Sequence, residues 1–263
     1  MEVIKLTKKI IYLLIFLVIL CLMILSYFHF FKEDVVPVLT YHNVVDVIED
    51  DPNVTVNIST KKFEKQIKWL HDHGYKTITM DELYDWKVNN KKIPRKSILI
   101  TFDDGWKSYY TKAIPILEKY NMKSNVFVVF KFTENVTKEN SDIYMNFDDI
   151  KDIINNHKDM TILSHSYDLH NKENADSNDY DLYNNDMKKV EELGYNIKYY
   201  AYPYGHNNDN YIKALKDNNY YLAFTFGPYT NVRKSDDNYK LPRIGMFEST
   251  KDWKFKLKLF LEM

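Results

Sequence analysis

From about residue 35 onward, short β-branched or aromatic runs alternate with amphipathic stretches, and the alternation recurs about seven times. Val36–Thr40 reads as the first strand. A helix follows from about Thr60 to His73, with Phe63, Ile67 and Leu70 on one face and Gly74 ending it. Tyr75–Thr79 reads as a second strand, and Thr79 with Glu82 forms a capping box for a helix reaching about Asn90. Ser97–Phe102, Asn125–Phe130, Met160–Leu163, Ile197–Tyr202 and Tyr220–Phe226 read as further strands, with helical stretches near 111–120, 146–156, 181–193 and 209–218. Pro115 starts or kinks the helix around it. Strands that alternate with helices imply a parallel sheet with right-handed crossovers. Seven or eight such units predict an α/β fold, a distorted (β/α)7-8 barrel, with an open doubly wound sheet as the structural alternative.

Ahead of this pattern, residues 10–31 carry no charge, a run long enough as a helix to cross a bilayer core of about 30 Å. Lys32, Glu33 and Asp34 follow it directly, without the small residues of a cleavage site, so an uncleaved signal anchor is expected. Lys5, Lys8 and Lys9 precede it, which by the positive-inside rule keeps residues 1–9 in the cytoplasm. The expected organisation is therefore a cytoplasmic N-terminus over 1–9, one transmembrane helix over 10–31 and an extracytoplasmic domain over 35–263, held at the cell membrane by a single pass. The formal net charge of -1 makes nucleic acid an unsuitable partner, and a neutral polymer fits better. Nothing in the sequence identifies a protein partner. The one cysteine, Cys21, excludes an intramolecular disulfide and a thiolate metal cluster, so any metal must sit on histidines and carboxylates.

Polar residues gather at the C-terminal ends of the predicted strands, where α/β barrels build their sites. Thr101-Phe102-Asp103-Asp104-Gly105 ends a strand with two adjacent carboxylates. Side chains alternate along a strand, so both aspartates reach one site only if the chain leaves β geometry there, which Gly105 permits. An Asp-Asp-Gly turn with Asp104 capping a helix is the plainer alternative. His165 and His170 follow another strand. Five residues would put them about 140° apart on a helix, so they converge only from a loop. One aspartate and two histidines make three ligands that leave positions open for water and substrate, and the second aspartate beside them is a ready base. His42, Tyr204 with Gly205, and Arg243 fall on the same rim. Tyr41, Trp106, Tyr167, Tyr202 and Tyr204 lie beside it in sequence, and aromatic faces suit the apolar faces of sugars, with plain packing of the barrel mouth as the alternative.

Together these segments resemble the polysaccharide deacetylases of carbohydrate esterase family 4, the NodB-homology domain. The resemblance runs from about Val36 to Ile244. It is carried by Val38-Leu39-Thr40-Tyr41-His42, the Thr-Phe-Asp-Asp-Gly motif, the His165 to His170 segment, Ala201-Tyr202-Pro203-Tyr204-Gly205 and Leu241-Pro242-Arg243-Ile244. It implies a NodB-like barrel and a hydrolase that removes N-acetyl groups from an N-acetylglucosamine-containing cell-envelope or extracellular polysaccharide. Asp103 would be the base, with Asp104, His165 and His170 holding one divalent metal ion, zinc first and iron, nickel or cobalt as alternatives. The Tyr204 N–H would line the oxyanion hole, and Tyr41, Trp106, Tyr167, Tyr202 and Pro203 would contact substrate. Many relatives carry an arginine where Ala201 stands here, and Arg243 is expected to supply that charge. The family's C-terminal histidine has no counterpart after His206, which leaves His42 as the candidate acid. Four residues separate the histidines where most relatives have three, and that spacing resembles the branch acting on poly-N-acetylglucosamine. A peptidoglycan N-deacetylase and a catalytically impaired glycan-binding homologue are the alternatives within the family, and a metal-dependent phosphodiesterase is the alternative outside it.

Overall fold

The computed structural model describes residues 9, 11–23, 35–48, 55–195, 197–227 and 230–260. The chain divides into two compact units, Met1–Asp34 and Val35–Met263. In the first, residues 11–23 form a helix (α1), which at 1.5 Å per residue extends about 20 Å. Among the described residues no helix is long and apolar enough to cross a membrane. The rest of the expected 10–31 span lies outside the described residues.

The second unit opens with β1 (Val35–Val36), β2 (Val38–Tyr41) and the short strands β3 (Val44–Val45) and β4 (Ile58–Ser59). Helix α2 (Thr60–Asp72) starts where the Ser59 side chain accepts the Lys62 N–H. After β5 (Lys76–Thr77), α3 (Met80–Val88) begins at the expected capping box. There the Thr79 hydroxyl accepts the Glu82 N–H at 3.1 Å, and the Glu82 carboxylate accepts the Thr79 N–H at 2.7 Å. Strand β6 (Ser97–Phe102) has the boundaries read from sequence. A π turn over Tyr109–Ala113 runs into α4 (Ile114–Lys119), which carries Pro115 in its first turn, where the missing N–H costs nothing. The chain continues through β7 (Ser124–Val128), α5 (Phe130–Glu134), α6 (Phe147–Asn156), β8 (Met160–Ser164), α7 (Lys172–Ala175) and α8 (Tyr180–Glu192). It ends with β9 (Tyr199–Ala201), α9 (Asp209–Asp217), β10 (Leu222–Phe224), β11 (Val232–Arg233), β12 (Ile244–Gly245) and α10 (Asp252–Phe260).

Among the described residues the main sheet runs β10-β9-β8-β7-β6-β2-β12, every neighbour parallel, with β5 also on β6. It is a curled parallel sheet flanked by helices, a half-barrel that keeps the expected (β/α) order of the distorted (β/α)7-8 barrel without its full closure. Leu241 bridges Phe224 of β10, but β12 pairs only with β2. Pro242 lies between them and has no N–H to continue a ladder, so the sheet's two ends meet without a continuous seam.

Parallel strands buried on both faces read as continuous apolar runs, and all six residues of β6 are buried. Alternation still sorts them. Ile98, Ile100 and Phe102 pack outward with Leu39, Tyr41, Val126 and Val128 under the helices, while Leu99 joins Val38, Phe127 and Phe224 inside the curl. Thr40 pairs with Thr101 in the β2–β6 register, and their hydroxyls meet at 3.1 Å on that inner face. The next inward positions are His42 and Asp103. The ladder itself therefore delivers these two residues to one place.

Gly205, at φ 76°, lies against the Phe226 backbone, and an added Cβ would come within 2.4 Å of the Phe226 nitrogen. Gly74, at φ 74°, has open space around it. Gly74→Ala should cost about 1 kcal/mol for the left-handed backbone alone. Gly205→Ala should cost about 1–3 kcal/mol more from overpacking, a difference that midpoints of denaturant unfolding will reveal.

Candidate active site

Asp103 continues the inward alternation of β6, and its N–H donates to the Tyr41 carbonyl at 3.0 Å. The chain then leaves the strand, with Asp104 at φ 72° and Gly105 at φ 84°. That left-handed turn brings the Asp104 carboxylate to the inner side as well. Aspartate tolerates this conformation better than most residues, though the cost is still about 1–2 kcal/mol.

The two carboxylates have different environments. Arg243, fully buried, donates to both oxygens of Asp103, at 2.6 Å from Nη1 and 2.8 Å from Nη2. Its Nε donates to the Thr225 carbonyl at 3.0 Å, so the planar guanidinium is fixed on two sides. Burial alone would raise the Asp103 carboxyl. The positive charge of Arg243, with His165 and His42 nearby, outweighs it and holds the group below the usual carboxylate range. Asp104 accepts a hydrogen bond from Trp106 Nε1 at 3.0 Å on Oδ2. Its Oδ1 is buried without a hydrogen-bond partner among the described residues. Burial also works to raise Asp104, but His170, His42 and His165 hold it well below the usual range.

His165 is oriented from behind. Its Nδ1 lies 2.7 Å from the Ala201 carbonyl, an acceptor that requires the proton on Nδ1 and leaves the Nε2 lone pair facing the carboxylates. Burial pushes the imidazole down to about 4, so it is neutral at physiological pH. His170 Nε2 is 3.1 Å from Asp104 Oδ1, and His165 Nε2 is 3.6 Å from the same oxygen. For His170 burial works downward, yet the Asp104 carboxylate raises it above its ordinary value. Its ring lies between Phe132 and Tyr204, with centroids at 5.6 and 4.7 Å.

Asp104, His165 and His170 each offer a ligand atom, all within 4.8 Å of one another. Ligands about 2.1 Å from a tetrahedral ion lie about 3.4 Å apart, and the two carboxylate–imidazole separations bracket that value. The same buried carboxylate oxygen faces the His165 lone pair, fixed by the Ala201 carbonyl, a repulsive contact that a divalent cation between them would relieve. The residues therefore fit a metal ion. Asp103 is tied up by Arg243 and stands beside this set, with its Oδ2 3.9 Å from His165 Nε2.

His42 lies on the other side of Asp103, its Nε2 3.8 Å from Asp103 Oδ2. It is walled by Phe226 and Phe247, with ring centroids at 5.9 and 6.3 Å. Its Nδ1 is buried and has no partner among the described residues. Tyr204 is in a 3-10 turn over Pro203–Gly205 with left-handed φ 55°, and its ring is 41% exposed at the rim.

Several aromatic expectations are corrected. Tyr41 faces outward from β2 into the core, stacked on Phe102 and donating to Gln66 at 2.8 Å, so it has no face for a sugar. Tyr202 is equally buried, packed on Tyr200 and Tyr211 with its hydroxyl on the Tyr239 carbonyl. Pro203 is buried in its turn. Tyr167 donates to Glu134, and Lys131 and Lys189 lie over its ring. Trp106 is at the site, but its indole N–H holds Asp104. The Ala201 and Thr225 carbonyls, which fix His165 and Arg243, were not anticipated, because a main-chain acceptor has no side-chain signature.

With this geometry in hand, comparison with known proteins is decisive. The family model described as polysaccharide deacetylase matches residues 90–223. The poly-beta-1,6-N-acetyl-D-glucosamine N-deacetylase of Staphylococcus epidermidis is 30% identical over 200 residues, 72% of this chain and 67% of that protein. The chain belongs to the polysaccharide deacetylase family. Staphylococcus aureus proteins of the same name match at 30% over 202 residues. YxkH of Bacillus subtilis is 38% identical over 100 residues, which is only 34% of that protein's length. The fold matches that of Streptococcus pyogenes deacetylase PplD, with TM-score 0.75 at 22% identity over 87% of this chain and 99% of that one. It also matches IcaB from Ammonifex degensii, with TM-score 0.71 at 23% identity over 88% and 99%.

The site makes a direct prediction about metal. The purified protein should bind one divalent cation per chain, and His165→Ala or Asp104→Asn should weaken that binding by at least about 100-fold in calorimetric titration with Zn²⁺.

Proposed function

We propose that this deacetylase-family protein is a metal-dependent de-N-acetylase acting on an N-acetylglucosamine polymer of the cell envelope or matrix. Poly-β-1,6-N-acetylglucosamine is the first candidate substrate and peptidoglycan the second. The observation that carries the reading is an Arg243-held carboxylate, Asp103, set beside three convergent ligands, one of which bears a buried oxygen with no hydrogen-bond donor. The staphylococcal relatives support the choice of polymer, as does the four-residue gap between His165 and His170. The uncharged run over 10–31, with lysines before it, supports an anchor that holds the catalytic unit outside the membrane.

Asp104, His165 and His170 would hold the cation, with zinc as the first candidate. When bound, it supplies Lewis acidity to the acetyl carbonyl and to the attacking water. Asp103 takes a proton from that water as the acetamide carbon is attacked, and the bidentate contact to Arg243 aims the carboxylate. Arg243 also keeps Asp103 ionised, so the proton acceptor is present over a wide pH range although it is a weak base. The Tyr204 N–H would donate to the carbonyl oxygen as charge develops. His42, on the far side of Asp103, gives a proton to the departing amine. Phe226 and Phe247 limit water around its ring. The Arg243–Asp103 contact answers the Ala201 motive for an impaired homologue, and the missing C-terminal histidine is answered only if His42 serves as the acid.

The test is acetate release by the purified full-length chain from poly-β-1,6-N-acetylglucosamine, peptidoglycan and chitooligosaccharides, with and without a chelator. Chelator-sensitive release, greatest on the first polymer, is expected, and no release from any of the three contradicts the proposal. Asp103→Asn should keep the metal and lower kcat by about 10² to 10⁴. Arg243→Met removes the charge that holds Asp103 ionised against burial. The acid limb of kcat/KM should then move to higher pH in a pH-rate profile.

A further inference from the structure

The two histidine ligands are separated by a loop that has no regular structure of its own. Ser166 sits at φ 106°, outside the range most side chains adopt. Its carbonyl accepts the Phe130 N–H at 3.1 Å, its hydroxyl accepts the Leu169 N–H at 3.1 Å, and the Tyr167 carbonyl accepts the Lys131 N–H at 2.8 Å. The Tyr167 and Asp168 N–H groups point the other way, toward α8.

Both N–H groups are received by one residue. Asp186 Oδ1 accepts the Tyr167 N–H at 2.8 Å, and Oδ2 accepts the Asp168 N–H at 2.7 Å. Asp186 lies among Tyr183, Met187 and Val190 on the buried face of α8, at a position where helical spacing calls for an apolar side chain. It makes no ion pair among the described residues. Burial pushes its carboxyl up to about 7, with Asp168 adding to the rise, and the two N–H donors and Lys189 work against it. A carboxyl group sits in an otherwise apolar face, and both of its oxygens serve the metal-ligand loop.

We infer that Asp186 is a positioning residue for the metal ligands. By accepting two consecutive N–H groups it holds the loop in the one arrangement in which His165 Nε2 and His170 Nε2 both face Asp104. The inference rests on the reading of Asp104, His165 and His170 as a metal site. Ordering a loop costs conformational entropy, and losing two of its anchoring hydrogen bonds lowers the share of time the two imidazoles spend converged. Side chains behind the ligands act on metal affinity in the same way, typically by about 10 to 100-fold.

The experiment titrates the full-length protein with Co²⁺ and records the visible absorption of the bound ion. Asp186→Asn keeps the shape but sets an amide NH₂ against one of the two N–H groups. Met187→Ala, next along the same buried face, loosens packing without touching the loop's hydrogen bonds. Asp186→Asn should bind Co²⁺ about 10 to 100-fold more weakly, with an altered visible spectrum, while Met187→Ala keeps wild-type affinity and spectrum. If Asp186→Asn does not fold, Asp186→Ser carries the same comparison with one acceptor retained. Wild-type Co²⁺ affinity and spectrum in the Asp186 variant, or an equal change in Met187→Ala, would overturn the inference. If the wild-type protein itself binds no Co²⁺, the metal reading of the site has failed and takes this inference with it.

Discussion

Neighbouring residues on a strand point to opposite faces, and two adjacent carboxylates can share a site only where the backbone breaks that rule. The break here is the left-handed turn at Asp104 and Gly105, directly after the six buried residues of β6. Asp103 obeys the alternation and Asp104 departs from it, so one aspartate faces Arg243 while the other faces two imidazoles. Had Asp104 kept β geometry, its side chain would lie in the outer apolar layer with Phe102 and Tyr109. The local cost of about 1–2 kcal/mol is met because β6 is anchored on both edges, by β2 and by β7.

That division of labour depends on charge as much as on shape. Two buried carboxylates on consecutive residues repel each other strongly unless each has its own counter-charge. Arg243 supplies one, reaching Asp103 from the segment that joins the two ends of the curled sheet. Asp104 faces His170 and His165 instead, and the imidazoles around it hold its carboxyl well below the usual range. Arg243 directly precedes β12, where Ile244 pairs with Leu39 of the outer layer, so strand alternation turns its guanidinium to the inner face and onto Asp103.

Much of this was legible in the sequence because side-chain chemistry and spacing carry it. The boundaries of β6, the Thr79–Glu82 capping box and the loop conformation demanded by His165 and His170 follow from residue types at fixed intervals, while the charge expected from Arg243 is what the family resemblance implies. What stayed hidden falls into two kinds. Main-chain acceptors such as the Ala201 and Thr225 carbonyls leave no trace in residue identity. Long-range partners such as Asp186, one buried carboxylate on a helix, cannot be told from a surface residue until the helix is docked. The aromatic assignments failed for a simpler reason. Tyr41 precedes His42 and Tyr202 lies beside the Pro203–Gly205 turn, but closeness in sequence is not closeness in space. Strand alternation sends a residue's neighbour to the opposite face, so His42 reaches the site and Tyr41 fills the core.

Anomalous diffraction from crystals of the protein grown with a divalent transition metal tests the central claim most directly. One strong peak is expected about 2.1 Å from Asp104 Oδ1, His165 Nε2 and His170 Nε2, with Asp103 outside the coordination shell and still held by Arg243. No peak at that position, or an ion ligated by Asp103 with Arg243 displaced, would contradict it.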